Sequence, residues 1–302
     1  MNAVAASTAA VLVVYRLPDQ APALVRQLSG IVGRIVVVDN SDRGPSPPDA
    51  QALGPEVTLI HSGNVGALAG AYNRALQHLR SLATPPQQVV FLDEDSDPSA
   101  LGPFLADEAT ARLLASPGTA AVAPAYRDRA TGLRGRYIEL ERFRLSHMAR
   151  QFTDLRAVAF VINSMSVWTM AALDRIGAFN ERLAIDHVDT EYCLRARHFG
   201  LRIYVHGGYE FAHAIGQRRR FRFLGREMQA GGHAPNRRYL IGRNSIWLAR
   251  DWLWREPAFA MLCVMRLAYE TVGIVAAEDH VLAKLFALWR GAGRGLVMPR
   301  ST

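Results

Sequence analysis

The chain has 302 residues, half of them hydrophobic, which is ample for a buried core and allows one large or two small domains. Its two cysteines, Cys193 and Cys263, exclude a disulfide framework or a four-cysteine zinc site and are expected to be buried packing residues in a reducing compartment. A formal net charge of +8 points to an anionic partner, which charge alone leaves open among nucleic acid, a membrane surface and a phosphorylated substrate.

Of the 35 basic residues only Lys284 is a lysine. The planar arginine fork suits bidentate phosphate contacts, although a GC-rich coding bias produces the same preference. No basic residue precedes the apolar run 9–15, and Arg16 ends it, so a signal peptide is not expected. The most apolar later stretch, 259–277, is interrupted by Arg266 and Glu270 and reads poorly as a membrane span. These features predict a cytoplasmic protein, able to attach to the cytoplasmic face of the inner membrane.

Strand-like runs punctuate the first half. Residues 11–15 are apolar throughout, as in a strand covered on both faces. Residues 35–38 are β-branched and stop at the turn-forming Asp39-Asn40-Ser41, residues 57–61 follow, and 89–92 stop at Asp93. Helical patterns over 21–28 and 67–82 lie between them, an alternation that predicts a mainly parallel α/β sheet. In such sheets the ligand site lies beyond the carboxyl ends of the strands, where Asp39, His61 leading to Asn64, and Asp93-Glu94-Asp95 converge. Later, 128–156 is arginine-rich and reads as a loop plus helix. Residues 158–167 read as strand, 170–176 and 190–199 as helices, and 201–205 as strand. From Arg237 onward the pattern is helical, with Trp247, Trp252 and Trp254 close together.

Several segments can carry chemistry. Asp93-Glu94-Asp95 at a strand tip can hold a hard cation that bridges substrate phosphates, or can form a solvated turn leading into the helix start Ser96-Asp97-Pro98. Asp39 suits hydrogen bonds from a base or ribose, and equally an Asx-turn. Asn64-Val65-Gly66 opens the helix that contains Asn73, where a glycine permits close backbone approach and a helix start suits an anion. Asp186, Asp189 and Glu191 cluster at a helix entry, which stabilises the helix dipole and also offers a general base. His213 follows a strand and can reach a metal or a diphosphate. The run 218–223, Arg237, Arg238 and Arg243 suit phosphate, lipid or nucleic acid, or a solvated loop.

In order, these segments resemble blocks of the family-2 inverting glycosyltransferases, in particular the bacterial rhamnosyltransferase branch. The blocks are Val36-Val37-Val38-Asp39-Asn40-Ser41; Asn64-Val65-Gly66-Ala67 with Asn73; Phe91-Leu92-Asp93-Glu94-Asp95-Ser96; Gly177-Ala178-Phe179-Asn180-Glu181 through Asp186-His187-Val188-Asp189-Thr190-Glu191; and His233-Ala234-Pro235-Asn236-Arg237-Arg238-Tyr239 followed by Arg243-Asn244. The resemblance implies a GT-A, Rossmann-like sheet in a catalytic domain over 1–245, with a helical C-terminal extension over 246–302. It implies Asp189 as the acceptor-activating base, and Asp95 with His213 at an Mg²⁺ or Mn²⁺ ion. Substrate contacts are implied for Asp39, Asn64, Gly66, Asn73, Asp93, Ser164, Asp186, Arg237 and Arg238. The chain departs from the pattern at Val14, Glu94, Met165 and Ala184, and the last two line the sugar or acceptor pocket by that resemblance.

The expected activity is metal-dependent transfer, with inversion, of a sugar from a dTDP- or UDP-sugar donor. The acceptor is a hydroxyl of a surface glycan or a polyprenyl-diphosphate-linked glycan; rhamnose is favoured, with galactofuranose or another hexose as the alternative. An anionic membrane surface and a second copy of the chain are further expected partners. Nucleic acid is disfavoured because acidic groups, not cations, line the strand ends. An inactive nucleotide-sugar-binding relative is the other class left open.

Overall fold

Every residue of β1 (Thr8–Val14) is buried, because the strand is apolar along its length and flanked on both sides. The computed structural model describes residues 2–15, 18–42, 53–54, 56–213, 219–223 and 225–300. Arg16 and the first residue of the run 218–223, both referred to above, lie outside them. The chain divides into two compact units, one formed by 1–127, 134–137 and 149–213, the other by 128–133, 138–148 and 214–302.

In the first unit a short helix α1 (Ala3–Ala6) precedes β1. Then come α2 (Ala21–Leu28), β2 (Arg34–Asp39), β3 (Val57–His61), α3 (Ala67–Arg80), β4 (Gln88–Asp93), α4 (Leu101–Ala106), α5 (Glu108–Leu114) and β5 (Thr119–Asp128). The hairpin β6 (Ile138–Leu140) and β7 (Leu145–His147) belongs to the second unit. The first resumes with β8 (Leu155–Val158), β9 (Val167–Thr169), α6 (Met170–Ile176), α7 (Val188–His198) and β10 (Arg202–His213). The sheet runs β3-β2-β1-β4-β9-β5-β10-β8. Its β3, β2, β1 and β4 are mutually parallel, and β9 enters antiparallel between β4 and β5.

Side chains alternate across this sheet. Leu12, Val14, Ile35, Val37, Val90 and Leu92 join one buried cluster with Leu24, Val25 and Leu28 of α2 and Leu101, Phe104 and Leu105 of α4. On β4, Phe91 alternates with Val90 and Leu92 and instead meets Tyr72 of α3 at 4.6 Å between ring centroids. Phe179 packs edge-on to Phe91 and stacks on Tyr192 of α7 at 3.8 Å. Local chemistry sets several helix starts: Asp107 accepts from the Thr110 N–H at α5, and Thr169 from the Ala172 N–H at α6.

Two expected elements differ. The stretch 128–156 holds the β6–β7 hairpin and no helix among its described residues. The apolar run 158–167 is not one strand, because the chain turns at Asn163-Ser164-Met165-Ser166. The Ser166 N–H bonds back to the Asn163 carbonyl at 2.9 Å, and Met165 takes a φ of 63°. An apolar run says that a segment is buried, not that it is straight.

The second unit pairs β11 (Arg219–Phe223) with β12 (Arg226–Ala230) and continues as α8 (Pro235–Trp252), α9 (Pro257–Ala277) and α10 (Val281–Val297). Ile241, Leu267, Ile274, Leu288 and Ala292 form its helical core. Helices α8 and α10 approach backbone to backbone: a Cβ on Gly242 would sit 2.0 Å from the Leu288 carbonyl oxygen, and one on Gly291 2.0 Å from that of Tyr239. Residue 245, the boundary expected from sequence, lies inside α8, since nothing breaks the helix between Pro235 and Trp252. Of the three tryptophans grouped above, Trp247 and Trp252 are buried, and Trp247 donates to the Pro299 carbonyl, so only Trp254 is exposed. Cys193 and Cys263 are buried free thiols, and burial pushes Cys263 up to about 12.

Candidate active site

The parallel register sets the first relation. Val14 of β1 lies opposite Asp39 of β2, and Val13 lies opposite Asp93 of β4. The two residues therefore end the strands on either side of β1, their backbones about 10 Å apart by strand spacing. Asp39 is buried, accepts from the Ser41 N–H at 3.1 Å and lies 3.3 Å from Nδ1 of His61 on the neighbouring strand end. Asn40 donates to the Asn64 side chain at 3.2 Å and accepts from the Ser62 hydroxyl. The Asx-turn reading of Asp39 and a ligand contact are therefore compatible, since one carboxylate accepts several hydrogen bonds.

The acidic strand end is the centre of the site. One ligand atom each from Asp93, Asp95 and His213 lies within 4.8 Å of the others, and all three residues are half-buried. Asp93 ends β4, Asp95 lies in the turn after it, and His213 is the last residue of β10, a strand much longer than the expected 201–205. Removal from water, then the charges of Asp95, Asp189 and Glu94, push the Asp93 carboxyl up to about 7, against a hydrogen bond with Ser164. Such crowding of negative charge marks a place where a cation is favoured. Ligands on opposite sides of a small divalent ion stand about 4 Å apart, so small side-chain rotations let this trio share one. Two carboxylates and an imidazole form a mixed O/N donor set that suits Mn²⁺ and tolerates Mg²⁺. Glu94 points elsewhere, accepting the Tyr15 N–H at 2.7 Å.

The turn is held from below. Ser96 accepts the Asp93 N–H at 2.9 Å, and its hydroxyl pairs with that of buried Ser164 at 2.8 Å. Ser164 thus braces the acidic turn from the 159–166 segment, where Met165 N–H donates to the Phe91 carbonyl.

Asp189 stands in the first turn of α7 with Asp186 just before it, and Asp186 and His187 both have positive φ, at 58° and 65°. Its charge reaches Asp93, and together with burial the charges of Asp93 and Asp189 raise the Tyr72 phenol well above its usual value. Nothing in the sequence pattern marks Tyr72 or Asn163, whose side chains hydrogen-bond each other, as site residues. An aromatic at helical spacing looks like core, and only the fold puts this one beneath two carboxylates. The buried Glu191 carboxylate pairs with Arg195 at 2.8 Å, and Arg195 also donates to the carbonyls of Ile176 and Ala178.

Gly66 and Asn73 serve a neighbouring clamp. Asn73 accepts the Phe179 N–H at 2.8 Å and donates both amide hydrogens, to the Phe179 carbonyl at 3.0 Å and to Glu181 at 2.8 Å. Its donor capacity is thus engaged within the protein. Gly66 has a φ of 72°, and a Cβ there would lie 2.3 Å from the Glu181 carboxylate. Asn64, with a φ of 57°, shares this tight turn. Sequence patterning missed Glu181 as the third member. Arg237 and Arg238 belong to the second unit. Arg238 is fully buried with its guanidinium paired to Glu270 and Glu278, so this arginine anchors α8 to its neighbours, and Arg237 is half-buried in the first turn of α8.

The mainly parallel sheet with acidic strand ends is the mixed α/β architecture that the ordered blocks of sequence led one to expect. No family model matches the chain. Its likeness among curated proteins is to dTDP-rhamnosyl transferase RfbF of Shigella flexneri, 25% identical over 287 residues that cover 87% of this chain and 88% of that one. Among solved structures it is similar to GalNAc-T7 with UDP, GalNAc and Mn²⁺, at 12% identity and a TM-score of 0.42, covering 78% of this chain and 48% of that one. It is similar also to TarS of S. aureus, at 14% identity and a TM-score of 0.45, covering 97% of this chain and 44% of that one. A third likeness, to glucosyl-3-phosphoglycerate synthase from Mycobacterium tuberculosis, has 18% identity and a TM-score of 0.29, covering 40% of this chain and 44% of that one. The chain spans less than half the length of each of these solved chains.

Proposed function

We propose that the protein transfers a sugar, with inversion, from a dTDP- or UDP-sugar to a hydroxyl of a surface-glycan or polyprenyl-diphosphate-linked acceptor. The observation that carries this reading is the convergence of Asp93, Asp95 and His213 at the carboxyl ends of the sheet, within electrostatic reach of Asp189. Asp189 is the general base: its carboxylate takes the proton of the acceptor hydroxyl as that oxygen attacks the anomeric carbon, and the nucleoside diphosphate departs from the opposite face. Asp39 and the Asn64–Gly66 turn bind the nucleoside end of the donor, and Asp93 binds its ribose or sugar. Mg²⁺ or Mn²⁺ held by Asp95 and His213, with Asp93 beside them, would neutralise charge developing on the diphosphate. Rhamnose is the favoured sugar, supported by the likeness to the dTDP-rhamnosyl transferase of Shigella flexneri. Galactofuranose or another hexose is the second reading. It is supported by Ala184 and Met165, two positions of positive φ at which the chain departs from the resembling family's pattern.

A thermal-shift series of nucleoside-diphosphate sugars, with and without Mn²⁺ or Mg²⁺, tests the reading. A ligand that binds only the folded state raises its stability with the logarithm of concentration above Kd. The expected outcome is a metal-dependent rise with dTDP- or UDP-sugars that Asp95→Ala abolishes. No shift with any nucleotide sugar would overturn the donor assignment.

A further inference from the structure

Helix α9 turns apolar side chains to solvent along most of its length. Met261, Val264, Met265, Tyr269 and Val275 are all exposed and spaced so as to form one stripe. No exposed residue of this helix is charged; its Arg266 and Glu270 are half-buried and lie 3.8 Å apart. The helix has a mean hydropathy of 1.6 over its most apolar window, of which only 33% is buried, whereas a core helix of this composition would be mostly covered. Helix α10 repeats the pattern with Leu282, Phe286, Trp289, Leu296 and Val297, and Leu282 is 83% exposed. Apolar surface this extended is rare on a monomer left in water.

Charge selects the occupant. The exposed face of α10 carries Arg290 and Arg294, and no carboxylate is exposed within α9 or α10. A second copy meeting this face through the same surface would bring arginine toward arginine with no exposed acid on either helix to receive it; Asp279, between the helices, is held by Lys284 at 2.7 Å. Anionic headgroups above an acyl layer complement both the cations and the apolar stripes, and Tyr269 and Trp289 are the ring types that settle at such a boundary. We infer that α9 and α10 dock the protein on an anionic lipid surface, lying in its plane through these two stripes. The surface differs from the tryptophan group and the arginine run singled out in the sequence, and it does not depend on the sugar-transfer reading.

Flotation of the full chain with vesicles of phosphatidylcholine, alone or mixed with phosphatidylglycerol, tests this. The chain is expected to float with the mixed vesicles, less so as salt rises. Phe286→Glu with Trp289→Glu should reduce binding by at least about tenfold, since each adds charge to an apolar contact. Arg290→Glu with Arg294→Glu should remove the preference for phosphatidylglycerol. Circular dichroism and melting temperature verify the fold of each variant; should the first pair fail to fold, Met261→Glu with Met265→Glu makes the same test on α9. Absence of binding to either vesicle, or binding unchanged in folded variants, would overturn the inference. So would a stable dimer in lipid-free solution that the same substitutions dissociate, which would assign the face to a second copy.

Discussion

Asp189 occupies the first turn of α7, where its oxygen accepts the Thr190 N–H at 2.7 Å. Asp189→Asn keeps the size and that acceptor but cannot take a proton, so turnover is expected to fall about 10²- to 10⁴-fold while donor-induced thermal stabilisation persists. Radiolabelled-sugar transfer measured beside the thermal shift checks both halves, and unchanged turnover would remove Asp189 from its role. Gly66 makes a different demand. With a φ of 72° and Glu181 2.3 Å from the place of a Cβ, Gly66→Ala is expected to cost at least about 1 kcal/mol, read as a lower urea midpoint. Adding Glu181→Ala should restore only the part due to the clash, because the backbone strain stays. Both residues stand in motifs visible in the sequence, yet only Gly66's neighbour across space explains why nothing larger fits.

At the scale of elements, the Asn73 clamp joins α3 to the segment that leads toward α7, and Arg195 secures the same segment from the other side. Asn73→Ala leaves the Phe179 N–H and carbonyl without these partners and is expected to cost about 1–3 kcal/mol. A calorimetric melt reads this directly, and a variant as stable as the parent would show that the clamp is dispensable. In the second unit, Arg238→Ala takes a fully buried cation from Glu270 and Glu278, leaving Arg266 beside the first and Lys284 beside the second. Breaking a buried pair in this way typically costs about 3–5 kcal/mol, so loss of α-helical signal at lower denaturant is expected. The sequence could not separate this arginine from a phosphate ligand, because its acidic partners lie more than thirty residues away in the chain.

For the whole molecule, two groups of the helical unit act at the acid and alkaline extremes of pH. Burial alone would raise Glu278, but the Gly232 N–H, Lys284 and Arg238 hold it below its usual value. Its stabilising contribution is therefore complete above about pH 4.3, the ordinary glutamate value, and is lost as pH falls through the lowered one. Burial would lower Lys284, yet Asp279 and Glu278 hold it raised, so its contribution is complete below about pH 10.4 and fades as pH rises through the raised value. Urea midpoints followed by helical circular dichroism should thus drop at both extremes. Glu278→Gln should flatten the acid limb, and an unaltered limb would place the acid sensitivity elsewhere.

The amino-acid sequence by itself determined the parallel α/β sheet, the acidic ends of β2 and β4 and the helix entry at Asp189. These depend on local periodicity and on where an apolar run meets polar residues, which a chain displays without folding. Tertiary structure alone decided that β10 runs on to deliver His213 to Asp93 and Asp95, and that the 158–167 run turns so that Ser164 braces the metal-like cluster. It also turned Asn73 into a clamp, placed Tyr72 beneath two carboxylates, and buried Trp247 and Trp252 while leaving the α9 and α10 stripes exposed. The reason is physical: side-chain type and spacing say what a residue can bond or bury, but which partner it meets depends on contacts between segments far apart in the chain.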